Sequence, residues 1–320
     1  MAERLAAVPG DARQSRARAL VEQAIREVGQ VILGKPDEIR LAITCLLSRG
    51  HLLIEDVPGV GKTLLARSLA AVLGLSFRRI QFTSDLLPAD IIGASVFDRE
   101  RGRFEFQSGP LFAQVILADE VNRATPKAQS ALLEAMEEQQ VSVDGVTHAL
   151  PSPFFVIATQ NPVHQVGTFP LPESQLDRFL MRIGLGYPPE TLERKLLRGT
   201  DRRELLGELR PVMGLPELSE LQAATRTVHL SDAVLDYVQA LVRFTRVSPQ
   251  FETGLSPRAA VDLVAAARCW ALVSGHPGVY PEDVQAVFAA VAGHRLRRRG
   301  EAAFEATDCA PAVLAEVAIP

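Results

Sequence analysis

The sequence predicts an α/β protein in which a mostly parallel sheet is covered by helices and is followed by a smaller, all-helical domain. In the first part of the chain, short apolar runs typical of buried strands alternate with amphipathic helices. After Tyr187-Pro188-Pro189 the strand signal fades and helical spacing dominates. We therefore predict an α/β core over residues 1–188 and a helical domain over residues 189–320.

The composition is that of an ordinary globular protein. Hydrophobic residues make up 47% of the 320 residues, charged residues make up 22%, and the net charge is −4. This acidic balance disfavours a constitutive nucleic-acid binder, although it leaves room for a local basic channel. The three cysteines are far apart and match neither disulfide nor metal-ligand spacing. Neither a signal peptide nor a membrane span is evident, so we expect a cytoplasmic protein.

The individual elements follow from periodicity and capping. Two helices open the chain, and the apolar runs after them are expected to be strands, at residues 51–56, 78–83, 113–120 and 154–161. The two helices are expected at residues 17–30 and 37–48. In the second domain, Ser231 and Ser256 suit helix N-caps, while Pro257 and Pro281 suit first turns.

Two β-hairpins are predicted as inserts in the core. Residues 92–108 alternate between apolar and polar types on either side of a turn that contains Gly102. Residues 139–151 carry Asp144-Gly145, a strong two-residue hairpin signal between alternating arms. These segments are either plain surface hairpins or contacts for a substrate.

The loop after the first strand has the character of a phosphate-binding loop. It reads DVPGVGKT over residues 56–63, between a strand and a helix. Such a glycine-rich loop directs backbone N–H groups at phosphate oxygens, at the positive end of the helix dipole. Lys62 would neutralise the β- and γ-phosphates, and the Thr63 hydroxyl would ligate Mg²⁺. The predicted nucleotide-binding residues are Pro58, Gly59, Val60, Gly61, Lys62, Thr63 and Leu64.

Asp56 departs from the strict form of this loop, which begins with glycine. An aspartate so close to the phosphates would either slow turnover or cap the loop. The alternative for the whole segment is a glycine turn that happens to precede a helix.

A second acidic pair supports the nucleotide interpretation. Asp119 and Glu120 end the buried run VILADE. Asp119 would hold Mg²⁺, and Glu120 would polarise the attacking water as a general base. Taken alone, the pair would suit the acidic start of a helix equally well.

The motifs together resemble one family. GVGKT, ILADEVNRA, ATQNP, LPESQLDRF and LSPRA occur in the order typical of the MoxR family of AAA+ ATPases, within the helix-2-insert clade. The resemblance runs from VILGKPDE to the C-terminal helices. It implies a P-loop AAA+ core with a helical lid, ATP and Mg²⁺ as ligands, and a homo-oligomeric ring that is expected to be a hexamer.

The resemblance also implies roles for three further residues. Asn161 matches the sensor-1 position, Arg178 matches the arginine finger offered to a neighbouring subunit, and Arg258 matches sensor 2 on the lid. Asn161-Pro162 is also a common turn initiator, and Arg178 would otherwise be read as a surface arginine paired with an acidic neighbour. Whether Arg258 serves its own subunit or the next stays open.

Other matches to the family admit two readings. Arg123 is either an interface or nucleotide-sensing residue or a solvated helix-end arginine. Val31, Ile32 and Gly34 resemble the segment that brackets adenine, but core packing explains the two aliphatic residues equally well.

The implied function is ATP-driven remodelling or activation of a protein client. Relatives commonly work with a von Willebrand factor A domain protein, often in the maturation of metal- or cofactor-containing enzymes. A nucleic-acid motor is the alternative, because helicase and helicase-loading AAA+ proteins share the same hairpin inserts. Arg99, Arg101 and Arg103 of the first hairpin suit phosphate and acidic protein equally. A non-hydrolysing switch is disfavoured by the presence of Glu120 and Arg178, and a GTPase by the lack of an N-K-x-D stretch.

Overall fold

A computed structural model describes residues 10–161, 169–199, 202–300 and 309–319. The strands in chain order are β1 (Leu52–Glu55), β2 (Phe77–Gln81), β3 (Gly93–Asp98), β4 (Arg103–Ser108), β5 (Val115–Asp119), β6 (Gln140–Val143), β7 (Val146–Ala149), β8 (Phe155–Gln160), β9 (Met181–Ile183), β10 (Phe251–Thr253) and β11 (Arg297–Arg298). The helices are α1 (Gly10–Val31), α2 (Pro36–Leu47), α3 (Lys62–Val72), α4 (Pro88–Ile92), α5 (Pro126–Glu138), α6 (Glu173–Leu176), α7 (Glu190–Arg198), α8 (Arg202–Glu208), α9 (Leu215–Thr227), α10 (Asp232–Val247), α11 (Pro257–Ser274), α12 (Pro281–Ala292) and α13 (Ala310–Glu316).

The central sheet is parallel, with the strand order β2-β5-β8-β1-β9. In β1, Leu52 lies opposite Ile157 of β8 on one side and Met181 of β9 on the other. β5 and β8 are buried along their whole length, which explains their continuous apolar sequences. The predicted α/β class with a parallel sheet is confirmed. Because the strands run in one direction, their carboxyl ends meet at the same edge of the sheet.

The two faces of the sheet bury different apolar clusters. Leu52 and Ile54 belong to a cluster shared with α1, α2 and α3. Leu53 points to the other face, where Leu132 and Met136 of α5 cover the sheet. This alternation follows from the two-residue period of a strand, and it encloses the sheet between two layers of helices.

The C-terminal region is helical, as predicted, and its caps follow the sequence. Ser231 and Ser256 accept N-cap hydrogen bonds from Val234 N and Ala259 N, at 3.4 and 3.0 Å. Pro257 begins α11, and α12 begins likewise with a proline. One feature differs from a purely helical region: β10 and β11 form a short antiparallel pair. Strands of three and two residues are too short to leave an alternating pattern in the sequence.

Both inserted segments form antiparallel hairpins, β3–β4 and β6–β7. They contact each other, because the ring of Phe106 stacks on that of His148 with 4.0 Å between centroids. On the first hairpin, the exposed rings of Phe97 and Phe104 pack edge to face at 5.3 Å. The second turns through residues with positive φ at Asp144-Gly145. Across the described parts of the chain, no helix combines the length and apolar character needed to cross a membrane.

His51, immediately before β1, joins the sheet to α5. Its Nδ1 accepts a hydrogen bond from Val156 N at 3.0 Å, so its Nε2 carries the proton and faces Met136 O at 3.3 Å. Burial lowers the pKa of His51 from 6.5 to about 4, against smaller opposing effects of the Met136 carbonyl and Glu137. The neutral imidazole is therefore part of the packed core at physiological pH.

This burial predicts a pH-dependent stability. As the pH falls from 6.5 towards about 4, the unfolded chain takes up a proton at His51 while the folded protein does not. The free energy of unfolding should consequently drop, by up to about 3 kcal/mol from this residue. Urea unfolding across this range should show a shallower loss for His51→Gln than for the wild type. The exposed His229→Gln variant should keep the wild-type profile, and equal slopes for both variants would contradict the assignment.

Candidate nucleotide-binding site

The glycine-rich loop joins the carboxyl end of β1 to the amino end of α3. Gly59 and Gly61 have φ of 90° and 100°, which side-chain-bearing residues rarely adopt. Lys62, Thr63 and Leu64 form the first turn of the helix. Their backbone N–H groups have no partner within the helix and point out of its amino end, as an anion site requires. Residues 58–61 form the loop itself, so the predicted set is one continuous segment that runs from the loop into the first turn of α3.

Lys62 is held over the carboxyl edge of the sheet. Its ammonium donates to Asp56 O at 2.6 Å and to Asn161 Oδ1 at 3.1 Å. Burial lowers the pKa of Lys62, while the nearby carboxylates of Asp56 and Asp119 act in the opposite direction. The lysine thus presents a partly desolvated positive charge beside the loop.

Asp56 caps the loop, which is one of the two roles considered from the sequence. Its Oδ1 accepts from Val57 N at 2.7 Å. Its Oδ2 accepts from Leu185 N and Gly186 N, both at 2.6 Å. The carboxylate therefore ties the start of the loop to the segment that follows β9 at the end of the sheet.

Asp119 ends β5 and is almost fully buried, at 7% exposure. Its Oδ1 accepts from the Thr159 hydroxyl at 2.6 Å, and its Oδ2 accepts from Arg79 Nε and Nη2 at 3.0 and 2.7 Å. Asp119 and the Thr63 hydroxyl offer the hard oxygen donors that Mg²⁺ prefers. The donor set fits this ion, with the Arg79 contact favouring a water-mediated role for Asp119.

Glu120 and Asn161 extend the polar cluster. Asn161 is buried at the end of β8, and its amide links the two charges: Oδ1 accepts from Lys62, and Nδ2 donates to Glu120 Oε1 at 3.1 Å. Glu120 Oε2 also accepts from Arg123 Nη1 at 2.8 Å. Glu120 adopts a φ of 57°, uncommon for glutamate, and its N–H donates to the Thr159 hydroxyl at 2.9 Å.

Sequence reasoning missed three residues that hold the carboxylates. Thr159 contacts both Asp119 and Glu120, as described above. Arg79 and Gln81 lie two residues apart on β2, hence on the same face; Gln81 Nε2 donates to Glu120 Oε2 at 3.0 Å. The available signals were weak: a hydroxyl within an apolar strand, and two polar residues at alternate positions of RRIQFT.

Arg178 and Arg258 lie away from this cluster. Arg178 Nη1 donates to Leu133 O of α5 at 2.5 Å, and Arg258 forms an ion pair with Glu137 of the same helix. Arg178 comes three residues before β9, whose first residue lies opposite Leu52, the first residue of β1. It therefore lies at the amino edge of the sheet. The His51–Met136 contact brings the carboxyl half of α5 to that same edge.

The proposed adenine segment is positioned beside the loop. Val31 and Ile32 are buried in the core, so packing accounts for their character. A Cβ placed on Gly61 would lie 3.6 Å from Ile32 Cδ1, which puts this aliphatic residue against the phosphate-binding loop. Gly34 has a φ of 73° and approaches Leu192 of α7. Core packing and nucleotide contact both remain consistent with this arrangement.

The parallel sheet, the loop, the acidic pair and the polar residue that ends the adjacent strand define the P-loop class of nucleotide-binding proteins. Comparison with known proteins narrows the class. A family model of the ATPase family associated with various cellular activities (AAA) matches residues 51–181, and a model of the AAA lid domain matches residues 243–315.

Whole-chain relatives give a narrower assignment. The chain is 43% identical over 298 residues to the uncharacterized protein YeaC of Bacillus subtilis, covering 93% of each. It is 42% identical over 285 residues to the chaperone MoxR1 of Mycobacterium tuberculosis, covering 86% of this chain and 75% of that protein. A solved structure described as an ATPase, from Cytophaga hutchinsonii, superposes with a TM-score of 0.87 at 36% identity, covering 97% of each chain. The chain belongs to the MoxR family of AAA+ ATPases.

The Asp56 contacts predict a measurable role in ordering the loop. Asp56→Ala removes an ionised acceptor of several backbone N–H groups, so the free energy of unfolding should fall by about 1.5–3 kcal/mol. ATP affinity should weaken as well, because the loop loses its anchor to the segment after β9. Asp56→Asn keeps one oxygen acceptor and should lose less of both. Denaturant unfolding and equilibrium nucleotide binding measure the two effects; an unchanged unfolding free energy in Asp56→Ala would remove the capping role.

Proposed function

We propose that this chain hydrolyses ATP at the interfaces of a ring of identical subunits and uses the cycle to remodel or activate a protein client. The observation that carries the proposal is the separation of the charged residues between the two edges of the sheet. The phosphate-binding loop follows β1 at the carboxyl edge, whereas Arg178 precedes β9 at the amino edge. The four residues of β1 alone span about 13 Å.

This separation supports catalysis between subunits. Arg178 and Arg258 both contact α5 at the amino edge and are directed away from the loop of their own chain. In a head-to-tail ring, one surface of each subunit meets a different surface of the next. Arg178 would then complete the neighbour's site by spreading positive charge over the transferred phosphoryl group. The same placement supports an intersubunit role for Arg258.

Each residue of the polar cluster has a role within its own subunit. Lys62 and the N–H groups of the loop bind the phosphates. Glu120 acts as the general base on the attacking water, and Asn161 orients that water or the γ-phosphate. Because Asn161 now bridges Lys62 and Glu120, binding of a phosphate by Lys62 would alter the position of the base. Mg²⁺, held by Thr63 and Asp119, would supply charge neutralisation to the phosphates.

The hairpins are the proposed contacts for the client. Val96, Phe97 and Phe104 give the first hairpin an exposed apolar surface, and Val146 is exposed on the second. Arg101 and Arg103 both pair with Glu105, which reduces the basic character of this region. These features support a protein client rather than a nucleic acid.

The remaining family features complete the proposal. We infer a hexameric ring, a cytoplasmic location, a von Willebrand factor A domain partner and a boundary near residue 188 between core and lid. Chaperone MoxR1 supports the general class of activity, since its name describes a chaperone. Stimulation of ATP hydrolysis by DNA or RNA that disappears at raised salt would favour a nucleic-acid motor instead.

Glu120→Gln tests the general base. The substitution keeps the shape of the side chain but removes its basicity, so turnover should fall by roughly 10²-fold or more while ATP still binds. Phosphate release and equilibrium binding measure these quantities separately. Glu138→Gln, on an exposed residue of α5, is the matched control and should turn over at the wild-type rate. Normal turnover in Glu120→Gln would remove the assignment.

Mixing inactive variants tests the ring mechanism. Lys62→Ala should abolish nucleotide binding, and Arg178→Ala should lower turnover while leaving binding nearly intact. In an equal mixture, roughly a quarter of interfaces combine an intact Lys62 site with an intact neighbouring Arg178, so activity should return. Mixing Arg178→Ala with the Lys62→Ala/Arg178→Ala double variant creates no such interface and should stay inactive.

The same design resolves the role of Arg258. Recovery on mixing Arg258→Ala with Lys62→Ala would support its action on the neighbour's nucleotide. Failure to recover in this mixture, alongside recovery with Arg178→Ala, would assign Arg258 to its own subunit. Failure in both mixtures would overturn catalysis between subunits.

A further inference from the structure

Arg295, between α12 and β11, is a buried arginine with a full set of acceptors. Only 3% of its side chain is exposed. Nε donates to Asp177 Oδ1 at 2.8 Å, and Nη2 donates to Asp177 O at 2.9 Å and Asp262 Oδ2 at 2.5 Å. Nη1 donates to Leu180 O at 3.3 Å and Val291 O at 2.9 Å. This side chain therefore connects the segment before β9 with α11 and α12.

The residues held in this way flank Arg178 on both sides. Arg295 bonds Asp177 and Leu180, and the adjacent His294 bonds Phe179 O through Nε2 at 2.8 Å. Three of the four residues from 177 to 180 are thus attached to two consecutive residues of the C-terminal region. The exception is Arg178 itself, whose guanidinium reaches α5 instead. A backbone fixed before and after one residue restricts where its side chain can point.

The same aspartate also holds the start of α11. The Ser256 hydroxyl lies 3.2 and 3.1 Å from the two carboxylate oxygens of Asp177. Ser256 is the N-cap of α11, and Arg258 is the second residue of that helix. Asp177 therefore connects the backbone beside Arg178 with the backbone beside Arg258.

We propose that Arg295 is a positioning residue: with Asp177 it joins the segment bearing Arg178 to the helix bearing Arg258, and this joined unit fixes how Arg178 is presented to the neighbouring subunit. The inference rests on the proposed function, in which Arg178 acts between subunits. Contacts on α5 reinforce the unit, because Leu133 and Glu137, the partners of Arg178 and Arg258, are one helical turn apart. Arg295 touches no reacting atom and acts only through Arg178.

Arg295→Lys is the principal test. Lysine keeps a positive charge between Asp177 and Asp262, but a single ammonium cannot reach all the acceptors of the planar guanidinium. We expect ATP affinity and melting temperature to stay close to wild type, and kcat of assembled rings to fall about tenfold through misplacement of Arg178. Arg299→Lys, on an exposed residue of the same segment, should leave kcat unchanged.

A double-variant cycle separates positioning from general support of the fold. If Arg295 acts through Arg178, adding Arg295→Lys to Arg178→Ala should reduce kcat by less than about twofold further. The full tenfold loss in that background, or wild-type kcat in folded Arg295→Lys, would overturn the proposal. If Arg295→Lys fails to fold, Asp177→Asn removes the same ion pair by changing its other partner. We expect the same changes in kcat for this variant, alone and in the Arg178→Ala background.

Mixing Arg295→Lys subunits with Lys62→Ala subunits shows whether the loss of activity arises at the subunit's own nucleotide site or at the neighbour's. Arg295→Lys subunits retain an intact nucleotide site, so mixing them with Lys62→Ala subunits should restore activity as it does for Arg178→Ala. Loss of recovery only for Arg295→Lys would show that its own nucleotide site is damaged and would overturn the positioning role. If Arg178→Ala itself turns over normally, the finger assignment fails, and the positioning role fails with it.

Discussion

The parallel alignment of β5, β8, β1 and β9 is the constraint on which the other features depend. It gathers the loop, the acidic pair and Asn161 at the edge where the strands end. It also leaves Arg178, which precedes β9, at the opposite edge. No rotation of a side chain bridges the length of a strand. Strand direction alone therefore separates Arg178 from the nucleotide-binding loop of its own chain, and this separation is the basis of the proposed catalysis between subunits.

Charge balance organises the carboxyl edge. Lys62, Arg79 and Arg123 surround the carboxylates of Asp119 and Glu120, while neutral Thr159, Gln81 and Asn161 connect them. Buried charges are tolerated only with such partners. Asn161 bonds both Lys62 and Glu120, so the network couples the ammonium of Lys62 to the carboxylate of Glu120. In the proposed function, a triphosphate beside Lys62 would therefore also affect the position of Glu120.

Much of this arrangement was predictable from the sequence because it rests on local patterns. Continuous apolar runs predicted the buried strands, and Asp144-Gly145 predicted a hairpin turn. The roles of Asp56 and Arg79 were not predictable, because their partners lie far away in the chain: Asp56 bonds residues 185 and 186, and Arg79 bonds Asp119. Arg295 is a stronger case, since its burial and its contacts with Asp177 arise only from tertiary packing. Strand β9 was not predicted either, because three residues are too few to show a strand pattern in the sequence.

Helix α5 connects regions that would otherwise be independent. Its amino end follows the acidic pair, its carboxyl half carries the contacts of Arg178 and Arg258, and its last residue is separated from β6 by Gln139 alone. The hairpin that begins there stacks through His148 on Phe106 of the other hairpin. A helix of this length is a stiff rod of about 20 Å. A small tilt of α5 would therefore move both hairpins together, because one hairpin follows α5 directly and the other stacks on it.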